Sequence, residues 1–96
     1  MTVNLTAVLK SKEEFTDKVK GLLENLVENS RKEEGCIKYD LHQDVVNPNV
    51  FVFHEVWKNK AIFDGHNSQE YVKHFFGLAP DLLSDKPQII FTDKIA

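Results

Sequence analysis

Apolar residues in this chain keep a period of two from Val3 to Leu9 and then change to a helical stripe. That switch limits the architecture before any single residue is considered. Val3, Leu5, Ala7 and Leu9 alternate with Thr2, Asn4, Thr6 and Val8, the pattern of an extended strand with one apolar side. From Phe15 through Val19, Leu22, Leu23, Leu26 and Val27 the spacing is that of one face of an α-helix. Ser11-Lys12-Glu13-Glu14 has the form of a capping box, in which the Ser11 hydroxyl and the Glu14 carboxylate each accept from a free amide of the other's turn. Gly35 supplies the left-handed residue that a helix end favours. The spacing therefore predicts an amphipathic helix over 11–34.

The period of two returns at Cys36–Asp44, where Ile37, Tyr39 and Leu41 are expected to share one side and Lys38, Asp40 and His42 the other. Val46-Asn47-Pro48-Asn49 reads as a turn, because Pro48 fixes its own φ and the flanking asparagines tolerate tight conformations. Val50–Trp57 (VFVFHEVW) is rich in β-branched and aromatic residues, and so short a connection makes these two strands an antiparallel hairpin. Asn59 is placed to cap a short helix through Asn67. Ser68-Gln69-Glu70 opens another, which Gly77 and Pro80 punctuate, and Gln88–Phe91 forms a last strand after Pro87. The order is β-α-β-β-α-β. Its simplest packing is an α+β, ferredoxin-like arrangement: a four-stranded antiparallel sheet with helices on one face. Its 96 residues make one domain, 1–96.

The strand Val50–Trp57 carries Phe51, Phe53 and Trp57 on one side but Val52 and Val56 on the other, and Ile90 opposes Ile89 and Phe91. A sheet covered on one face only should be polar outward. The second face is therefore expected to be covered, either by the C-terminal segment or, as we favour, by the sheet of a second copy in a homodimer. A formal charge of -3 and a pI near 5.7 leave no electrostatic footprint for nucleic acid or an anionic membrane surface. The single cysteine, Cys36, forbids an intrachain disulfide and fits a reducing compartment. MTVNLTAVLK has neither a basic leader nor a long apolar run, so a soluble, cytoplasmic protein without a membrane segment is expected.

Glu34-Gly35-Cys36-Ile37-Lys38-Tyr39-Asp40-Leu41 (E-G-C-x-x-Y-x-L) is followed by Pro48-Asn49, by Glu55-Val56-Trp57 (E-x-W), and by the A-x-x-x-x-H spacing of Ala61 to His66. In order and spacing this run resembles the antibiotic biosynthesis monooxygenase family, over roughly Val3 to Phe91. The resemblance implies a dimeric α+β barrel and an enzyme that oxygenates a quinol-like or polycyclic aromatic molecule with dioxygen, using neither metal nor flavin. Such a substrate supplies the electrons itself. The protein has to bind the ring in a dry cavity, take a phenolic proton and stabilise the oxyanion. The same scaffold also hosts isomerases, haem-degrading members and non-catalytic small-molecule binders. Of the haem branch's pattern, Asn4 and His74 are loosely matched, whereas the tryptophan expected about ten residues before the histidine is replaced by Gly65 or His66.

By the same resemblance His66 is the proton acceptor, since a neutral imidazole exchanges protons near pH 7, and Asn4 donates to the developing oxyanion. Trp57, Tyr39, Phe63, Tyr71, His74 and Phe75 are expected to line the substrate pocket, with Trp57 as a flat wall. Plainer uses stand beside these. Phe63, Phe75 and Phe76 are spaced like core residues, His66 could cap a helix end, and Asn4 could satisfy an edge amide. Glu55 lies on the side of Phe53 and Trp57, where a carboxylate needs a partner or a raised pKa; a structural hydrogen bond and a catalytic base are its two readings. The four histidines, 42, 54, 66 and 74, show no H-x-x-x-H spacing, and with one cysteine no metal site is expected.

Overall fold

A computed structural model describes all residues, 1–96. It contains β1 (Val3–Lys10), α1 (Thr16–Ser30), β2 (Cys36–Gln43), β3 (Val50–Trp57), α2 (Lys60–Asn67), α3 (Glu70–Leu82) and β4 (Gln88–Thr92). The strands form one antiparallel sheet in the order β2-β3-β1-β4. Leu5, Ala7 and Leu9 of β1 and Phe51, Phe53 and Trp57 of β3 point to one face. There they meet Val19, Leu23 and Leu26 of α1 and Val72, Phe75, Ala79 and Leu82 of α3, so one core lies between sheet and helices. This is the ferredoxin-like α+β fold expected from the alternation of periods. No helix is long and apolar enough to cross a membrane.

The ends of α1 differ from the sequence expectation. Ser11 is fully buried and does not cap the helix. Its amide donates to the Asn49 carbonyl at 2.8 Å, its hydroxyl lies 3.0 Å from the Thr16 hydroxyl, and it bridges to Leu83. These tertiary bonds outcompete the local box, and α1 starts only at Thr16, after a 3-10 turn over Glu13–Phe15. The helix also stops at Ser30, not at residue 34. Just beyond it Arg31 turns towards β2, donating from Nε to the Tyr39 carbonyl at 3.1 Å and from its terminal nitrogen to Asp40 at 3.2 Å. Gly35 does take the left-handed conformation, at φ +86°, but as the last residue of the connection into β2.

A β-bulge between Cys36 and Lys38 changes the expected facing of β2. Tyr39 pairs with Glu55 and turns inward, and Cys36, opposite Trp57, packs against the core. Ile37, the extra residue, is left exposed, so it does not share a side with Tyr39 and Leu41. Asn59 caps α2 as expected, its side-chain oxygen accepting from the Ile62 amide at 2.9 Å. Gly77 and Pro80 do not interrupt α3, which continues to Leu82. Proline there leaves the Phe76 carbonyl without its helical donor on an exposed side of the helix, where water can serve it.

The sheet's other face carries Asn4, Thr6 and Val8 of β1, Val52, His54 and Val56 of β3, and Ile90 of β4. Three half-buried valines thus lie among polar groups, with the Thr6 hydroxyl 3.2 Å from the His54 ring nitrogen. Residues 93–96 are exposed and do not pack over this face.

Candidate active site

Under the helices, against the inner face of the sheet, lies a cavity of about 50 Å³. Its floor is Leu5, Ala7, Phe53 and Glu55, its walls include Tyr39, Phe63, His66 and Phe75, and Phe76, Pro87 and Ile89 stand at its outer side. Most of this lining is apolar; the ionisable groups in it are Tyr39, Glu55 and His66. A larger depression, about 660 Å³, runs between α1 and β2, but it is open and edged by charged side chains such as Lys20, Glu24, Glu28 and Lys32.

His66 is positioned by α2, which Asn59 caps and which brings the ring against Trp57 at the C-terminal end of β3. The imidazole is 3% exposed, and its Nδ1 lies 2.7 Å from Oε2 of Glu33. A carboxylate oxygen has only lone pairs to offer, so Nδ1 carries the hydrogen; in the neutral ring Nε2 then keeps its lone pair. Nε2 makes no hydrogen bond within the protein. The Tyr71 hydroxyl donates to the same oxygen of Glu33. Burial, followed by this bond to Glu33, raises the Tyr71 pKa above the ordinary phenol range, so the phenol stays a donor. Behind His66 the indole of Trp57 lies with ring centroids 4.3 Å apart and planes 34° from parallel. Tyr39 meets both rings edge-on, 5.6 Å from His66 and 6.0 Å from Trp57. Burial, then the neighbouring Glu55, drives the Tyr39 pKa upward, so it too is a neutral phenol.

Glu55 is 7% exposed and accepts from Trp57 Nε1 at 2.9 Å through Oε1. Burial outweighs that hydrogen bond and pushes its pKa up from 4.5 to about 7.

Of the residues singled out in the sequence, Tyr39, Phe63, His66 and Phe75 come together around the cavity. Trp57 and Tyr71 stand one layer back, against His66 and its partner Glu33. Asn4 and His74 are not brought to it. Asn4 faces the other side of the sheet, opposite Val56, and donates to the Thr2 hydroxyl at 3.1 Å. His74 lies on the exposed side of α3. Glu33 is the residue the sequence reading missed, because the helix expected through residue 34 hid the turn that aims it at His66. No group of three or more His, Cys, Asp or Glu side chains is arranged to hold a metal ion.

The chain is thus a ferredoxin-like α+β protein with a small, mostly apolar chamber and a carboxylate-held histidine beneath its helices. It belongs to the antibiotic biosynthesis monooxygenase family, whose profile matches residues 2–78. It is 34% identical over 89 residues to the Bacillus subtilis protein YcnE, provisionally named a monooxygenase, covering 93% of this chain and 94% of that protein. It is 40% identical over 93 residues to the uncharacterized protein sll1783 of Synechocystis sp.; the match covers 97% of this chain and 60% of that longer protein. A crystal structure of an antibiotic biosynthesis monooxygenase superposes with a TM-score of 0.92 at 30% identity, over the whole of both chains.

Proposed function

We propose that this protein is a cofactor-independent monooxygenase that oxidises a quinol-like or polycyclic aromatic molecule with dioxygen, acting as a cytoplasmic homodimer joined through the outer sheet face. The observation that carries the reading is the buried His66, fixed by Glu33 through Nδ1 and leaving Nε2 without a protein partner at an apolar cavity. In this reading Nε2 takes the phenolic proton of the substrate. The resulting anion passes one electron to dioxygen, the two radicals combine, and the peroxide anion takes the proton back from the imidazolium. Glu33 stabilises the imidazolium while it exists and keeps the ring in one orientation. The apolar walls keep water from the anion, so its electron goes to oxygen and its negative charge is not quenched by solvent.

The cavity's volume of about 50 Å³ belongs to a closed state, since a cavity of roughly 150 Å³ is what accommodates benzene. Admission of a ring requires Phe76, Pro87 and Ile89 to move outward, and Phe76 and Ile89 are already 43% and 47% exposed. The mostly apolar lining also supports a second reading, a binder that takes its ligand without turnover. Oxygen uptake with a panel of hydroquinones, naphthoquinols and hydroxyanthracenes separates the two. With autoxidation subtracted, the parent is expected to consume oxygen with at least one of them, and His66→Ala to lose about 100-fold or more of that rate. Uptake that is absent throughout, or equal in the two proteins, sinks the monooxygenase reading.

A further inference from the structure

Besides His66 and the phenol of Tyr39, the cavity holds a carboxyl group on its floor that proton abstraction leaves idle. Glu55 sits on β3 in register with Leu5 of β1 and Tyr39 of β2. Its Oε1 is taken by the Trp57 indole, and Oε2 has no hydrogen-bond partner in the protein. The groups facing it are Tyr39 and Cys36 from β2 and His66 from α2, with Glu33 beyond His66. The remaining walls, from β1, α1, α3 and β4, present apolar side chains such as Leu5, Leu26, Phe75 and Ile89. No lysine or arginine lines the chamber. A carboxyl so placed has nothing to hold a negative charge except one indole N–H.

We propose that Glu55 is the acid of this site, protonated at rest, and that it delivers its proton to the hydroxide that leaves when the substrate hydroperoxide breaks down. This role rests on the monooxygenase reading above. In the step, the carbon bearing the hydroperoxide loses its hydrogen as a proton to His66 Nε2. The C–H electron pair becomes the new C=O bond, the O–O bond breaks heterolytically, and the departing hydroxide takes the Glu55 proton to form water. A CH–OOH group thus becomes C=O plus H2O, the carbon oxidised and the peroxide reduced, with dioxygen the only oxidant consumed. The proton left on His66 then returns to Glu55 through water, and both groups are reset. A pKa raised to about 7 by burial supplies the protonated carboxyl at neutral pH and still lets it ionise when the hydroxide calls for its proton.

Glu55→Gln tests this, because the amide keeps the size and the acceptor for Trp57 but has no proton to give. The substrate-free protein is read first, by infrared spectroscopy. The parent should show a protonated-carboxyl band below about pH 6 that fades towards about pH 9 and is missing from E55Q. A band that is absent in the parent across that range overturns the proposal whatever the activity. In turnover, E55Q should still consume oxygen but release hydroperoxide, with carbonyl product formed about 10- to 100-fold more slowly. The parent's fall in product formation at alkaline pH should be missing from the variant. Product formed by E55Q at the parent rate and with the parent pH profile rejects Glu55 as the acid while leaving the monooxygenase reading intact. A parent that consumes no oxygen with any substrate overturns that reading and this role with it, and the infrared result still fixes the state of Glu55. Should E55Q not fold, Trp57→Phe removes the N–H that favours the carboxylate; the infrared transition and the alkaline fall must then both move to higher pH, and an unmoved transition rejects the proposal.

Discussion

Glu33 receives hydrogen bonds from His66 and Tyr71, which lie 33 and 38 residues further along the chain. It therefore ties the turn after α1 to both helices that roof the cavity. Across the chamber, Glu55 sets a pH dependence on folding itself. Its pKa rises from 4.5 to about 7 on folding, so between those values the folded protein holds a proton that the unfolded chain has released. Stability must then fall as pH rises through that window, by about 3 kcal/mol at the upper end. Urea unfolding followed by circular dichroism in parent and E55Q checks the sign: the difference between the two should shrink or reverse towards acid, where the parent pays nothing for its carboxyl. A parent–variant difference that is constant across the window refutes it. At this scale the sequence was legible unevenly. His66 stood out through the family resemblance, of which its spacing from Ala61 is a part, and Glu55 by sharing the side of Phe53 and Trp57. The outward placement of Asn4, away from the cavity, was already written in the alternation of β1, which sets it opposite Leu5. Glu33 was hidden, since nothing in a run of charged residues tells where a helix yields to a turn.

Gly35 shows how much one connection contributes to the site. Its carbonyl accepts from the Lys58 amide at 2.9 Å, so the turn that carries Glu33 is pinned to the end of β3. At φ +86° a side chain is strained, and a Cβ would stand 2.7 Å from Ile62 Cγ2 on α2. Gly35→Ala is expected to cost about 2 to 5 kcal/mol, from left-handed strain and overpacking together. Chemical denaturation measures it, and a loss under about 1 kcal/mol would mean that α2 shifts easily away. The elements themselves were readable because their apolar periods are long and clean. The bulge at Ile37 was not, since inserting one residue changes the facing of a strand without changing its composition. Nor was the true start of α1, where Ser11 answers to Asn49 and Leu83 rather than to its neighbours.

For the molecule as a whole, the outer sheet face is what bears on assembly. Val8, Val52 and Val56 are half-buried in the isolated chain, while Ile90 stands 45% exposed at the β4 side. Pairing two such faces buries all of them around a twofold axis. Light scattering at micromolar concentration is expected to give twice the 11.1 kDa chain mass. Val52→Lys, which puts a charge into the apolar part of that face, should return the particle to the mass of one chain. An unchanged mass in the variant would place the contact elsewhere. The apolar two-sidedness behind this expectation was visible in the alternation of β3; what covers it was not, because a sequence period records which way side chains point and not what they meet.

The protein's only tryptophan rests against His66 with one end bonded to Glu55, completely shielded from water. Its ultraviolet emission is therefore a native gauge that needs no label. Imidazolium beneath the indole dims it, loss of the Glu55 contact shifts its colour, and unfolding moves it to the red, so a single cuvette reads the chamber's chemistry and the integrity of the fold together.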